Sequence, residues 1–172
     1  MKKSIKKQSI KKQRIKKQRI KKAAPKNKTA TNRKSSSSSI NINLQKKITS
    51  TFLCILNTIK LYHWNTDYYA THKATDQLYG DLNAKIDTFV ETMLGKENVP
   101  SRNKVLEINS LHLNTFKSNK DFRKETEEYK SFLIGLSNEK SLNTPQNTDL
   151  MNMRDDILAS LNHFLYLLTL RG

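Results

Sequence analysis

The 172-residue chain has one cysteine, four glycines and three prolines, and its first 39 positions contain no acidic residue. A lone thiol closes no internal disulfide and cannot supply a cysteine-based zinc site. Cys54 lies inside the apolar run FLCIL and is expected to be a buried structural residue rather than a reactive one. No stretch of about 18 apolar residues is present, which excludes a membrane-spanning helix, and the basic N-terminal stretch is not followed by the apolar centre of a secretion signal. A soluble intracellular protein is expected. Scarce glycine and the lack of sustained polar–apolar alternation argue against a sheet-built fold.

What the chain does have is charge of one sign, concentrated at one end. Residues 1–39 carry 16 Lys or Arg, the remainder carries 16 basic against 15 acidic groups, and nearly all of the net charge of +17 therefore belongs to the arm. Residues 4–22 read SIKKQ SIKKQ RIKKQ RIKK, with Ile5, Ile10, Ile15 and Ile20 at equal steps. A step of five turns a helix by about 140°, so no apolar stripe forms, and an odd step sends successive isoleucines to opposite faces of a strand. The arm is expected to be disordered when free, with AAPKNKTATNRKSSSSS as a polar linker ending near Ser39. Lys2, Lys3, Lys6, Lys7, Lys11, Lys12, Arg14, Lys16, Lys17, Arg19, Lys21 and Lys22 can neutralise phosphates and release their counterions, so DNA or RNA is the expected partner. A targeting signal, or attraction to an anionic membrane, would use the same charge. The arm has no aromatic residue, which argues against base stacking.

Beyond the arm the pattern is helical. Leu44, Ile48, Phe52, Ile55, Ile59 and Tyr62 recur at steps of three and four and predict a helix to about Trp64. Tyr79, Leu82, Ile86, Phe89, Val90 and Met93 form the stripe of a second helix from about Tyr69 to Leu94, ended by Gly95 and Pro100 in GKENVPS. KVLEINSLHL predicts a short helix in the connection, NKDFRKETEEYKSFLIGL a third major helix and DLMNMRDDILASLNHFLYLLTL a fourth, with SNEKSLNTPQNTD as the polar loop between the last two. The expected organisation is an arm over residues 1–39 and an all-α four-helix bundle over 40–172.

The chemistry-bearing residues cluster between His63 and Glu91. With His72 at zero on the second helix, Asp76 falls near 40°, Asp87 near 60° and Glu91 near 100°, from about 100° per residue. This polar strip borders the apolar face. It is either a solvated flank or a metal site, and hard oxygen with imidazole suits iron, manganese or zinc. His63, at the end of the first helix, can approach the same region. No histidine has a Glu three positions before it, so the Glu-x-x-His motifs of di-iron bundles are missing and any site must be built another way. His112 and His163 read as structural or surface histidines.

The order His63-Trp64-Asn65, His72, Asp76, Asp87 and Glu91 resembles the Dps mini-ferritins of the ferritin-like superfamily. The likeness continues through LGKENVP and the closing NHFLYLL, over about residues 44–172. It implies helical subunits assembled as a hollow dodecamer, with ferroxidase sites across a twofold interface. On that pattern His63, His72 and Asp76 come from one subunit, and Asp87 and Glu91 from its neighbour. Fe(II) binds there and is oxidised, with hydrogen peroxide the usual oxidant, and ferric mineral collects inside. Trp64 would lie near enough to intercept oxidising species, or serve as a packed interfacial aromatic. Lysine-bearing tails of the family bind DNA, which agrees with the independent reading of the arm. In HWNTDYYATH the two histidines stand closer together than the family's usual spacing, so the corner between the helices must differ. The resulting expectation is a DNA-binding mini-ferritin that stores iron and protects against oxidation, located with nucleic acid in a nucleoid, nucleus or virion. The alternative is a structural nucleic-acid-packaging protein with the same bundle and little ferroxidase activity.

Overall fold

The computed structural model describes residues 39–170, so the expected disordered arm and most of its linker fall outside the described residues. Within that span all regular structure is helical: α1 (Ile42–Asn65), α2 (Tyr69–Gly95), α3 (Val99–Leu106), α4 (Asn119–Gly135) and α5 (Thr148–Leu167). The all-helical expectation holds. No helix among the described residues is long and apolar enough to cross a membrane.

α1 starts where Asn41 caps it. The Asn41 side-chain oxygen accepts from the N–H groups of Asn43 at 2.9 Å and Leu44 at 3.4 Å, satisfying donors that the first turn leaves open. Leu44, Ile48, Phe52, Ile55, Ile59 and Tyr62 are all buried, as their spacing requires. In α2, Leu82, Ile86, Phe89 and Met93 of the expected stripe are buried, whereas Tyr79 and Val90 are only half-buried and Leu78 is buried in addition; the Phe52 and Phe89 rings meet edge to face at 5.1 Å. In α4 the buried stripe is Phe122, Thr126, Tyr129 and Leu133; in α5 it is Leu150, Ile157, Leu161 and Phe164. These stripes merge into one core, in which Phe122 stacks on Tyr62 at 4.0 Å and meets Phe164 edge to face at 5.8 Å. Truncating such a ring to alanine costs about 3–5 kcal/mol. α2 packs on both α1 and α5, α3 on α1, and α4 on α5.

Two polar side chains tie the ends of this core. Arg154 of α5 is buried and donates from Nη1 to the Leu133 carbonyl at 3.1 Å and to Ser137 Oγ at 2.7 Å, closing the C-terminal turn of α4. Gln45 of α1 is buried as well, donating at 2.8 Å to the Ile40 carbonyl and at 2.8 Å to Glu97, just beyond α2.

Three local expectations need correction. The short helix lies over Val99–Leu106, not over KVLEINSLHL, because Asn98 caps it by accepting from the Ser101 N–H at 3.0 Å and Pro100 sits in its first turn, where a missing N–H is harmless. Pro100 therefore opens α3 as well as marking the gap after α2. From Glu107 to Lys117 the chain runs without helix, and an extended rise of about 3.3 Å per residue carries it further toward α4 than a helix would. Cys54 is half-buried, not buried: the uninterrupted apolar run FLCIL winds around the helix, so Leu53 is exposed and Cys54 lies at the edge of the core. Its Sγ donates to the His112 carbonyl at 3.5 Å, and burial pushes the thiol above its ordinary pKa.

Candidate functional site

His63 occupies the last turn of α1 and His72 the first turn of α2, joined by a corner of only Thr66, Asp67 and Tyr68. The corner is held locally: the Thr66 N–H donates to the Tyr62 carbonyl at 3.0 Å, and the Tyr68 N–H to Thr66 Oγ1 at 3.3 Å. So short a turn brings the imidazoles face to face, stacked with centroids 3.8 Å apart and planes tilted by 24°.

The hydrogen bonds of the pair are reciprocal. His63 Nδ1 lies 3.0 Å from the His72 carbonyl oxygen, and His72 Nδ1 lies 2.9 Å from the His63 carbonyl oxygen. A carbonyl only accepts, so each ring carries its proton on Nδ1, and a neutral ring then presents the lone pair of Nε2. Thr75, fully buried on α2, places Oγ1 3.2 Å from His63 Nδ1, while its own hydroxyl is within donating distance of the Thr71 carbonyl at 2.8 Å and the His72 carbonyl at 3.0 Å. On the other side of the ring, His63 Nε2 stands 3.9 Å from Asp76 Oδ1. His63 is 7% exposed, His72 is half-buried and Asp76 is exposed, so the arrangement opens outward.

This geometry constrains any metal. Each Nε2 lone pair lies in its own ring plane, and two stacked rings with centroids 3.8 Å apart and planes tilted by only 24° do not aim both lone pairs at one point within a metal–nitrogen bond of about 2.1 Å. One ion cannot be held by both rings as they stand. Each ring addresses its own position, and carboxylates must complete either one.

The structure stacks His63 on His72 and sets Asp76 beside His63, and it keeps Asp87 and Glu91 apart from them. Asp76 and Asp87 are separated by about 16 Å along α2, from the helical rise of 1.5 Å per residue. Asp87 and Glu91 are exposed one turn apart on the C-terminal half of α2. Among the described residues, no three His, Cys, Asp or Glu side chains converge as a metal-binding group within one chain. Trp64 is 68% exposed beside the pair, with Lys60 Nζ 5.6 Å from its ring centroid and 4.8 Å from that of Tyr79. His112 and His163 are exposed on the segment before α4 and on α5. The arm cations from Lys2 to Lys22 lie outside the described residues.

Sequence reasoning did not single out Thr75 or the exchange of Nδ1 hydrogen bonds with main-chain carbonyls. The spacing His72-x-x-Thr75 could signal only the hydroxyl's reach to the His72 carbonyl, while its approach to the His63 ring depends on how α1 meets α2. The carbonyl partners carry no sequence signal at all, because every residue has one.

Residues 63–168 match the model of a family of unknown function, DUF5856, and the chain belongs to that family. The matched span contains all five candidate ligands and excludes the arm. No curated protein and no solved structure matches the chain.

Proposed function

We propose that this DUF5856 member is a DNA-binding iron oxidase built on a ferritin-like bundle. Its substrate is Fe(II), taken at two positions, one addressed by His63 and one by His72, with Asp76 of the same copy and Asp87 and Glu91 of the partner subunit completing them. Two ferrous ions supply the two electrons that reduce one hydrogen peroxide to two hydroxides, the oxidant being the one the Dps resemblance implies. The lysine-rich arm holds DNA, with RNA open to the same electrostatics.

The observation that supports this reading is the locked histidine pair. Both rings are oriented by main-chain carbonyls, neither Nε2 makes a hydrogen bond to the main chain among the described residues, and Asp76 stands 3.9 Å from that of His63. The remaining carboxylates of the matched order lie too far along α2 to serve the same site in one chain, so a second copy has to supply them. That same separation also favours the rival reading, a packaging protein that keeps the bundle and oxidises little iron.

One experiment separates the two. A variant lacking both histidines (His63→Ala with His72→Ala) and a variant lacking both distant carboxylates (Asp87→Asn with Glu91→Gln) should each be inactive in Fe(II) oxidation. Co-refolded in equal amounts, they should recover about a quarter of wild-type activity, because half the dimers are mixed and each mixed dimer has one intact site of two. No recovery, with subunit mixing confirmed by mass, rejects a site shared between copies. Wild-type oxidation by both variants selects the packaging reading. For the arm, deletion of residues 2–34 should lower DNA affinity by at least about a hundredfold near physiological salt.

A further inference from the structure

A groove of about 990 Å³ lies between the last turn of α1, the segment before α4 and the outer face of α4. None of the five candidate metal ligands lines it, so its role is independent of the iron reading. Leu61, Trp64 and Phe116 give it apolar surface, and Asp121, Glu125 and Glu128 line it along α4 at steps of four and three, on one helix face. Lys117 and Lys124 also reach it. The Asn65 side chain holds its edge by donating to the Phe116 carbonyl at 2.6 Å.

A ligand for this groove needs ammonium groups for the carboxylates and small apolar groups for the floor. The exposed indole adds a cation-binding face, a chemistry that Lys60 already uses on Trp64 at 5.6 Å. Residues 4–22 of the chain have that composition: pairs of adjacent lysines recur every five positions, each beside an isoleucine. The repeat also makes docking tolerant of register. Asp121 to Glu128 spans about 10 Å along α4 and an extended Ile-Lys-Lys unit about 7 Å, so the carboxylate stripe takes one unit at a time, and a shift of the arm by five residues presents the next equivalent one.

We propose that the groove receives the Ile-Lys-Lys repeat of a second copy of this chain. A second copy fits because the arm leaves from the start of α1, about 36 Å along that helix from the groove, so a neighbour's arm reaches it without running back along its own helix. Docking and nucleic-acid binding then draw on the same lysines. The arm links copies when nucleic acid is scarce and lets go when phosphates compete.

Full-length protein tests this without any substitution. Equal parts of ¹⁵N-labelled and unlabelled protein are treated with a carbodiimide, which joins lysines directly to carboxylates, and the cross-linked peptides are located by mass spectrometry. The expected products join arm lysines to Glu125 or Glu128 with mixed isotopes and vanish in excess duplex DNA. Arm lysines joined only to carboxylates outside the groove, or only within same-isotope chains, would overturn the proposal; so would the lack of any arm cross-link. Trp64, the single tryptophan, gives a second readout. Its emission should shift when salt is raised from about 0.05 to 0.5 M, a range that screens such contacts, and the shift should be lost in Glu125→Lys with Glu128→Lys. The same shift in that variant counts against the groove.

Discussion

The two ends of α2 carry the candidate ligands in opposite states. At the N-terminal end His72 stacks on His63, Asp76 stands beside His63, and both Nδ1 nitrogens, the Thr75 hydroxyl and the two carbonyls are engaged. At the C-terminal half Asp87 and Glu91 are exposed, and neither side chain makes a hydrogen bond among the described residues. The first end is organised before any ligand arrives; the second is organised only by what meets it. Substitutions at the first should therefore disturb folding and chemistry together, and at the second chemistry alone.

The sharpest way to break that contrast is at the exposed end. Asp87→Asn with Glu91→Gln should reduce Fe(II) oxidation by at least about a hundredfold, beyond the loss seen when outer-shell partners of metal ligands are changed. Its unfolding free energy from urea titration should stay within about 0.5 kcal/mol of the parent, as for ordinary surface changes. Asp81→Asn, off the matched order, is the control and should leave both quantities alone. A solvated strip would show no loss of rate.

At the organised end, His72→Phe keeps a ring for stacking but removes both the N–H donor and the Nε2 ligand. It should lose oxidation and also destabilise the fold by about 1–3 kcal/mol, because the His63 carbonyl loses its partner in a part-buried place. A parent-like urea midpoint would mean that the corner does not depend on the pair.

A smaller effect is expected one position further out. Thr75→Val preserves shape but removes the hydroxyl beside His63 Nδ1, so the ring is oriented by the His72 carbonyl alone. Affinity for Zn(II) or Co(II), titrated directly, should fall by about tenfold, with less than about 1 kcal/mol lost in stability. Unchanged affinity would leave Thr75 a packing residue only.

The smallest effect lies away from the site, where α2 ends against the start of α5. Lys96 Nζ donates to Asp149 at 2.9 Å and to the Gln146 carbonyl at 2.8 Å. Burial nudges the Asp149 carboxyl up, but the hydrogen bonds from Lys96 and the Leu150 N–H outweigh it and hold the group below its ordinary value of 3.8. Since the folded value is the lower one, the stabilisation is complete above the unfolded value and is lost as pH falls through the folded value. Solvent screens this half-exposed pair, so Asp149→Asn should remove well under about 1 kcal/mol. Urea midpoints taken between neutral pH and about pH 2.5 should converge for parent and variant at the acid end.

Much of this was legible in the residues. The stripe of α1 and most of that of α2 followed from spacing, since an apolar residue every three or four positions can be buried together only on a helix, whereas for α4 and α5 only the segments were legible. The approach of His63 to the polar strip of α2 was expected too. The stacking and the carbonyl locks were not, because both depend on how sharply a three-residue corner turns. The misplaced α3 has a similar origin: KVLEINSLHL offers apolar residues, but Asn98 and Pro100 decide where the helix begins, and the crossing to α4 decides where it stops. For Cys54, a continuous apolar run shows that a face is buried without showing which face.

Composition and order by themselves determined the division into a cationic arm and a charge-balanced helical part, the helix stripes and the position of each candidate ligand along α2. Those are local properties, set by charge count and by a helix's fixed turn and rise. Only the tertiary structure decided that His63 and His72 stack and hold each other's carbonyls, that each leaves Nε2 outward, and that Asp87 and Glu91 stand apart. Those depend on the path of the chain through the Thr66–Tyr68 corner and on α1 packing against α2, and distances between elements are not written in the spacing of residues within either one.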